Sequence, residues 1–565
     1  MTRKLLATVV AALVANVPIA GAVEAPVAPD AAWCWFQDPR AVYHDGEHRR
    51  TYAGYVTAAG DIAVSSYDHD THELRRAVVA RGFQRDDHAS PALHVLPDGR
   101  LLVLWSAHRG RQMYLRVTRR REDVFDWSDT RAIGTNAPGF TTYTYANVVR
   151  VGGRLYVFWR AETGSSSAGQ AAFTSSDDGG VTWAPGQVLL ANNGQRPYVK
   201  YAGRGDTIHA AFTEGHPNAA QTGIRYAAFR DGRLYRADGT PLGSPPLAAT
   251  RGESVYSGAA RAWVWDVAAD SEGRPVIVYA TFPGRSDHRY RYARWNGTRW
   301  IDVELTAAGG SVASDGREPF YSGGIALDHG DPSTVYLSRP TGGVFEIERW
   351  RTTDRGRTWT HTAVTSGSAQ NNVRPVVPRG APSGGAAPVL WMSGSYPGYT
   401  TFATALRAQF DQAPVEVPAP PPDPQAPPPG TAPGGGPSEP PGPEPAGAEP
   451  EGAREAGLRI GVSRAVVLPG RRVLITGTLY DRVTRAPLDG RMVLLHARAE
   501  GGNRWVRSAK LRTDARGRVV VKRTLRRLTD YRLEYRGSPL MTAANSRIAR
   551  VYVERPPRGA HSSRD

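Results

Sequence analysis

Ser176-Asp177-Asp178-Gly179-Gly180-Val181-Thr182-Trp183 is the stretch on which the reading of the fold turns. It has the Asp-box pattern S-x-D-x-G-x-T-W. The aspartate caps a tight turn, a glycine takes a backbone angle other residues avoid, and the tryptophan packs between neighbouring sheets. Thr352-Thr353-Asp354-Arg355-Gly356-Arg357-Thr358-Trp359 repeats the pattern with Thr first. Asn296-Gly297-Thr298-Arg299-Trp300 is a degenerate copy, and Trp127 in Phe125-Asp126-Trp127 marks another. The tryptophans at 127, 183, 300 and 359 are 56, 117 and 59 residues apart. That is a period of about 58 with one copy skipped, which suits a four-stranded β-propeller blade. About 385 residues of such sequence divide into six to seven units, and we expect seven. The motif is structural and carries no chemistry.

The flanking sequence agrees. RLLVLWS, RLYVFWR, TIHAAFT, RPVIVYA and TVYLSR are short runs rich in Val, Ile, Leu and aromatics. Turn signals such as PDG, VGG and SEG separate them. No long 3.6-residue periodicity appears outside the N-terminus. The chain of 565 residues exceeds one ordinary domain. We expect an all-β protein with a seven-bladed β-propeller over residues 25–412. A Pro/Gly-rich linker over 414–455 includes PAPPPDPQAPPPGTAPGGGP and cannot build a core. Residues 456–555, with MVLLHAR, RVVVKRTL and RIARVYV, read as an Ig-like β-sandwich, and 556–565 as a disordered tail.

At the N-terminus, Arg3 and Lys4 precede an apolar run broken by Asn16 and Pro18, and Ala20-Gly21-Ala22 fits a cleavage site. Residues 1–22 therefore read as a signal peptide, and the protein as secreted and surface-associated. The single cysteine, Cys34, excludes an intrachain disulfide framework and reads as a small buried hydrophobe. The formal net charge is +17. From Ala456 to Asp565 there are 25 Lys and Arg against 8 Asp and Glu, or +17 in that segment. Residues 414–455 hold 7 acids and one Arg, or −6, which leaves +6 for the rest. In an exported protein this basic segment points to acidic polysaccharide, cell wall or matrix rather than nucleic acid.

Several motifs could carry chemistry. They are Phe36-Gln37-Asp38-Pro39-Arg40, Asp86-Asp87-His88, Trp105-Ser106-Ala107-His108, Tyr143-Thr144-Tyr145-Ala146-Asn147 and Arg160 in RLYVFWR. Arg196-Pro197-Tyr198, Gly215-His216-Pro217, Trp265-Asp266 and Asn372-Val373-Arg374-Pro375 follow. Together, from about Trp33 to Leu406, they resemble the BNR-repeat propellers that include ulvan lyases and rhamnosyl-glucuronate lyases. That resemblance implies a site near the propeller axis built from two histidines, a tyrosine and an arginine. The histidines correspond to His88 and His108, the arginine to Arg160, and the tyrosine to Tyr145 or Tyr143. These two share one side of a regular strand, so the sequence does not separate them. Tyr143, Arg196, Tyr198, His216 and Arg374 are the expected substrate-binding residues.

The residue types suit a lyase. Cleaving a uronate removes the weakly acidic C5 proton beside a carboxylate and expels the C4 oxygen. An arginine fork pairs with the carboxylate and stabilises the developing enolate-like charge. His88 and Tyr145 would divide the base and acid roles, in an order the sequence leaves open, and His108 would orient the substrate. No metal is expected: HExxH, CxxC and EF-hand patterns are missing, although His88 and His108 with Asp86 or Asp87 offer zinc-type ligands. No cofactor is required; the resemblance allows a structural calcium whose ligands the sequence does not place. The expected function is a secreted polysaccharide lyase acting on ulvan-type or rhamnosyl-glucuronate glycans, as a monomer. The rivals are an α-L-rhamnosidase on the same scaffold and a non-catalytic protein that binds acidic glycans.

Overall fold

Leu101–Ser106, Ile62–Asp68 and Pro275–Phe282 are buried at every residue. A strand covered on both faces needs packing partners above and below it, and sequences of this kind lose simple alternation. In a computed structural model of the chain those partners are neighbouring sheets. It describes residues 23–553 except 164–168, 193, 383–388, 411, 421–455, 464–465, 468, 482–483, 485, 500–504, 526–528, 536–543 and 547. The leader reading, the tail from 556 and most of the expected linker lie outside the described residues. The chain divides into two compact units, Met1–Glu439 and Pro440–Asp565.

The described residues of the first unit are all-β apart from two short 3-10 turns, Asp87–Ala89 and Ala249–Arg251. Among the described residues of the first unit, seven sheets of at least four strands follow one another. Their first strands are Ala41–Asp45, Ala92–Val95, Thr142–Val151, Tyr198–Arg204, Arg261–Ala269, Ile325–Leu327 and Asn372–Val376. The seventh sheet takes its outer strand from the other end of the chain: Val23–Ala28 pairs antiparallel with Thr401–Phe410. At the start of the proline-rich stretch, Val415–Val417 adds a parallel strand to the first sheet beside Glu73–Arg75.

Two of the repeated turns have matching bonds. In the first, Asp178 accepts from the Val181 and Thr182 amides and the Thr182 hydroxyl. In the other, Asp354 accepts from the Arg357 and Thr358 amides and the Thr358 hydroxyl. Asn296 does the same for Thr298 and Arg299, so the degenerate copy keeps the device with a neutral acceptor.

In the second unit, Ala456–Val462, Arg472–Asp481 and Arg518–Thr524 form a three-stranded sheet. Met492–Ala499 and Thr529–Tyr535 belong to a second sheet. One apolar cluster takes Leu458, Ile475 and Val519 from the first and Val493, Leu495 and Leu533 from the second.

In the first unit the segment Trp33–Arg40 runs where the first strands converge. Most of its backbone carbonyls are met by groups from several different sheets, as burial demands. Arg374 Nη1 donates to the Trp33 carbonyl, Lys200 Nζ to the Trp35 carbonyl and Asn147 Nδ2 to the Phe36 carbonyl. The Val148 and Leu93 amides reach the carbonyls of Asp38 and Pro39. Trp35 stacks on Trp265 with ring centres 4.5 Å apart and meets Trp263 edge-on at 5.0 Å. Its Nε1 donates to the Val264 carbonyl. Truncating so large a buried ring costs about 3–5 kcal/mol. Trp35→Ala is expected to lower the urea midpoint of the first unit, followed by tryptophan fluorescence of the full chain. An unchanged midpoint would show that this segment does not hold the sheets together.

Candidate active site

The site grows from the Asp86-Asp87-His88 turn. Asp86 caps the 3-10 turn by accepting from the His88 amide at 2.9 Å. Its Oδ1 also lies 2.7 Å from His88 Nδ1, and Asp87 Oδ1 lies 2.9 Å from the same nitrogen. The other oxygen of Asp86 meets His108 Nδ1 at 3.0 Å. One carboxylate thus holds two imidazoles, which stack face to face with centres 4.1 Å apart and planes 3° from parallel. The His108 amide is fixed by Gln84 Oε1 at 2.7 Å.

Tyr145 and Arg160 come from adjacent strands of the third sheet. The Tyr145 ring lies 5.2 Å from His88. Arg160 covers Tyr145 and Tyr198, its guanidinium carbon 4.6 and 5.3 Å from their ring centres. Its Nη2 reaches within 3.5 Å of His108 Nε2. Glu162, wholly buried, lies against three guanidiniums: Arg160 at 3.5 Å, Arg196 at 3.1 Å and Arg109 at 3.4 Å. Three cations against one anion leave this wall positive. Arg196 Nε also donates to the Tyr198 hydroxyl at 3.2 Å. His216 extends the wall beyond Tyr198, with rings 5.4 Å apart and Nε2 3.4 Å from Glu318.

The charge states follow from these neighbours. Burial alone would lower the His88 pKa, but Asp86 and Asp87 together lift it to about 9. His108 is pushed down to about 4 by burial and by the positive charges of His88 and Arg160, against the pull of Asp86. Burial holds the Tyr145 phenol well above its ordinary value. At neutral pH the pair is therefore an imidazolium beside a neutral imidazole. With Asp86 accepting from Nδ1–H, neutral His108 carries its lone pair on Nε2, the atom nearest Arg160.

The structure separates the two tyrosines. A bulge between Thr144 and Asn147, with Tyr145 at φ +65°, breaks the strand's alternation. A left-handed aromatic residue is a strained arrangement of the kind that gathers at functional sites. Tyr145 turns toward His88. Tyr143 instead packs in an apolar cluster with Trp159, and its hydroxyl donates to the Thr135 carbonyl at 2.7 Å. The expectation that Tyr143 binds substrate is corrected: it is a core residue. Arg374 is corrected too. It is fully buried and donates to Asp87 Oδ2 at 2.6 Å, so it anchors the aspartate behind His88 and does not face a ligand. Tyr399 was not among the expected residues. Its ring lies 4.8 Å from His88 and 5.8 Å from His108, and its carbonyl accepts from the Asp87 amide. Glu162 was missed as well, although it follows Arg160 by two residues on the same strand face, where alternation points to it.

Among the described residues, three sets of side chains bring potential metal ligands within 4.8 Å: Cys34-Asp87-His88, Asp86-His88-His108 and His48-Asp68-Asp70. In the first two, His88 Nδ1 already lies against two carboxylates, Asp86 at 2.7 Å and Asp87 at 2.9 Å. Each set contains histidine or cysteine, and none is the six-to-eight-oxygen cage of calcium.

Residues 50–308 match the model of the BNR repeat-containing family. No curated protein gives a significant match. Among solved structures, an ulvan lyase of polysaccharide lyase family PL25 bound to -[GlcA(1-4)Rha3S]- superposes with a TM-score of 0.53. The two are 16% identical, and the alignment covers 67% of this chain and 94% of that one. A second PL25 ulvan lyase structure gives a TM-score of 0.51 at 16% identity over 67% of this chain and 93% of that one. At such identity the likeness speaks for the fold. The first unit has the fold of a β-propeller, and its residues 50–308 are similar to the BNR repeat-containing family.

Proposed function

We propose that the protein is a secreted polysaccharide lyase that cleaves uronate-containing glycans of the ulvan or rhamnosyl-glucuronate type by β-elimination. The seven sheets are its blades, and the second unit is an Ig-like sandwich. The observation that carries the reading is the stacked imidazole pair on Asp86 with Arg160 3.5 Å from His108 Nε2. A uronate carboxylate fits the positive wall of Arg160 and Arg196, which lowers the cost of the enolate-like charge. Its C5 proton then comes next to His108 Nε2, a neutral base. The C4 oxygen leaves toward His88, an imidazolium whose Nε2 has no protein partner among the described residues, and toward the Tyr145 phenol. This departs from the sequence reading, in which His88 and Tyr145 share the base and acid roles in an open order and His108 orients the substrate: His108 becomes the base, and His88 joins Tyr145 on the acid side.

The basic second unit holds the enzyme on anionic matrix or cell wall by charge. We expect the full chain to elute from an anionic polysaccharide column as salt rises. A chain lacking Ala456–Asp565 should elute earlier. Retention indifferent to salt or to that deletion would count against the docking role.

With ulvan or a rhamnosyl-glucuronate polymer, the full chain should generate the ultraviolet absorbance of an unsaturated uronate. His108→Ala should slow this about 10²–10⁴-fold. Release of saturated rhamnose without absorbance would replace elimination with glycoside hydrolysis. Binding without turnover, unchanged in His108→Ala, would leave a non-catalytic propeller. In the same assay kcat/KM should be bell-shaped in pH. It rises as His108 loses its proton through about 4 and falls as His88 loses its own through about 9. A single limb near the ordinary histidine value would refute the split.

A further inference from the structure

The first strands of the third, fourth and fifth sheets begin at the site just described and run away from it. Tyr198 opens its strand beside Arg160, and Arg204 closes the same strand roughly 20 Å farther on at about 3.3 Å per residue. At those far ends lies a second cavity of about 450 Å³, within the range of small-molecule sites. His94, Asn147, Arg150, Arg204, His329 and Arg379 line it, with Asp38 at its base.

The lining is cationic. Arg150 and Arg204 are exposed, and neither forms an ion pair with another described residue. Arg379 divides its charge between Asp266 at 3.1 Å and Asp38 at 3.5 Å. Asp38 is already matched by the buried Lys200 and by Arg40 at 3.3 Å. This charge balance rejects a metal ion and favours an anion. Two buried polar atoms on the wall also lack partners: Asn147 Oδ1 and His94 Nε2. The Asn147 amide nitrogen is used twice, on the carbonyls of Phe36 and Tyr145, so its oxygen is fixed in place as an unpaired acceptor. Burial and Arg150 hold His94 neutral, its pKa near 4. An unpaired buried acceptor is costly unless a donor reaches it.

A ligand that meets both demands needs a carboxylate for the guanidiniums and a hydroxyl for Asn147 and His94. We propose that this far mouth of the propeller is a second, non-catalytic binding site for a sugar acid, held by Arg150, Arg204 and Arg379 on its carboxylate and by Asn147 and His94 on its hydroxyls. The site uses none of the residues placed in the elimination chemistry.

The test is saturation-transfer NMR of the full-length protein with free glucuronic acid, which has no glycosidic leaving group at C4. Glucose and inorganic sulfate are the comparison probes. Arg150→Glu/Arg204→Glu changes two exposed side chains, and a melting curve checks that the variant is folded. Arg355→Glu/Arg357→Glu, on an exposed turn elsewhere, controls for general charge. Read in an Arg196→Ala background, which strips the first site of a carboxylate partner, glucuronate should bind, bind at least tenfold more weakly once Arg150→Glu/Arg204→Glu is added, and bind normally with the control changes. Glucose should not bind, and sulfate should compete poorly. Several results would overturn the assignment: no glucuronate binding, binding indifferent to Arg150→Glu/Arg204→Glu, equal loss in the control, or sulfate as effective as glucuronate. None of them bears on the elimination assay.

Discussion

The backbone carbonyls of Trp33, Trp35 and Phe36 lie in the middle of the first unit, where water does not reach them, and each needs a donor. Arg374, Lys200 and Asn147 supply those donors from three different sheets. Two of them are full cations with no solvent exposure. A buried cation is tolerated only when paired, and the partners are Asp87 for Arg374 and Asp38 for Lys200. Asp87 is also one of the two carboxylates on His88. The network that ties the sheets to the central segment therefore continues without a break into the reacting groups. Position and charge at His88 are properties of the fold as a whole.

Asp86 then divides its two oxygens between two rings. Two imidazolium ions at 4.1 Å would repel by about 4 kcal/mol at an effective dielectric of 20, so one ring carries the proton and the other does not. Asp87 tips the proton to His88, and Arg160 at 3.5 Å disfavours it on His108. The same Arg160 faces incoming substrate with Arg196 beside it. One cation thus keeps the base unprotonated and binds the anion whose neighbouring carbon that base must attack.

Much of this was legible in the sequence because it rested on local rules. The Asp-box turns announced themselves, since the motif contains every atom of its own hydrogen bonds. His88, His108 and Arg160 stood in recognisable settings, and the structure brings them together. The choice between Tyr143 and Tyr145 was not legible, because a regular strand has a two-residue period and the bulge with Tyr145 at φ +65° removes it. Arg374 was misread for a similar reason. It too sits beside a bulge and at positive φ, +53°, and its partners Trp33 and Asp87 lie 341 and 287 residues away in the chain. Tyr399 comes from a connection between two strands with no pattern to mark it. Pairings over such separations belong to topology, which short motifs do not encode.

The account depends on two touching imidazoles holding opposite charge at neutral pH. Histidine-labelled NMR titration of the full-length protein reads this directly, with His88→Gln and His108→Gln used to assign the signals. The account predicts one ring that keeps its proton up to about 9 and one that stays neutral down to about 4. Two rings titrating together near the unperturbed value of about 6.5 would contradict it.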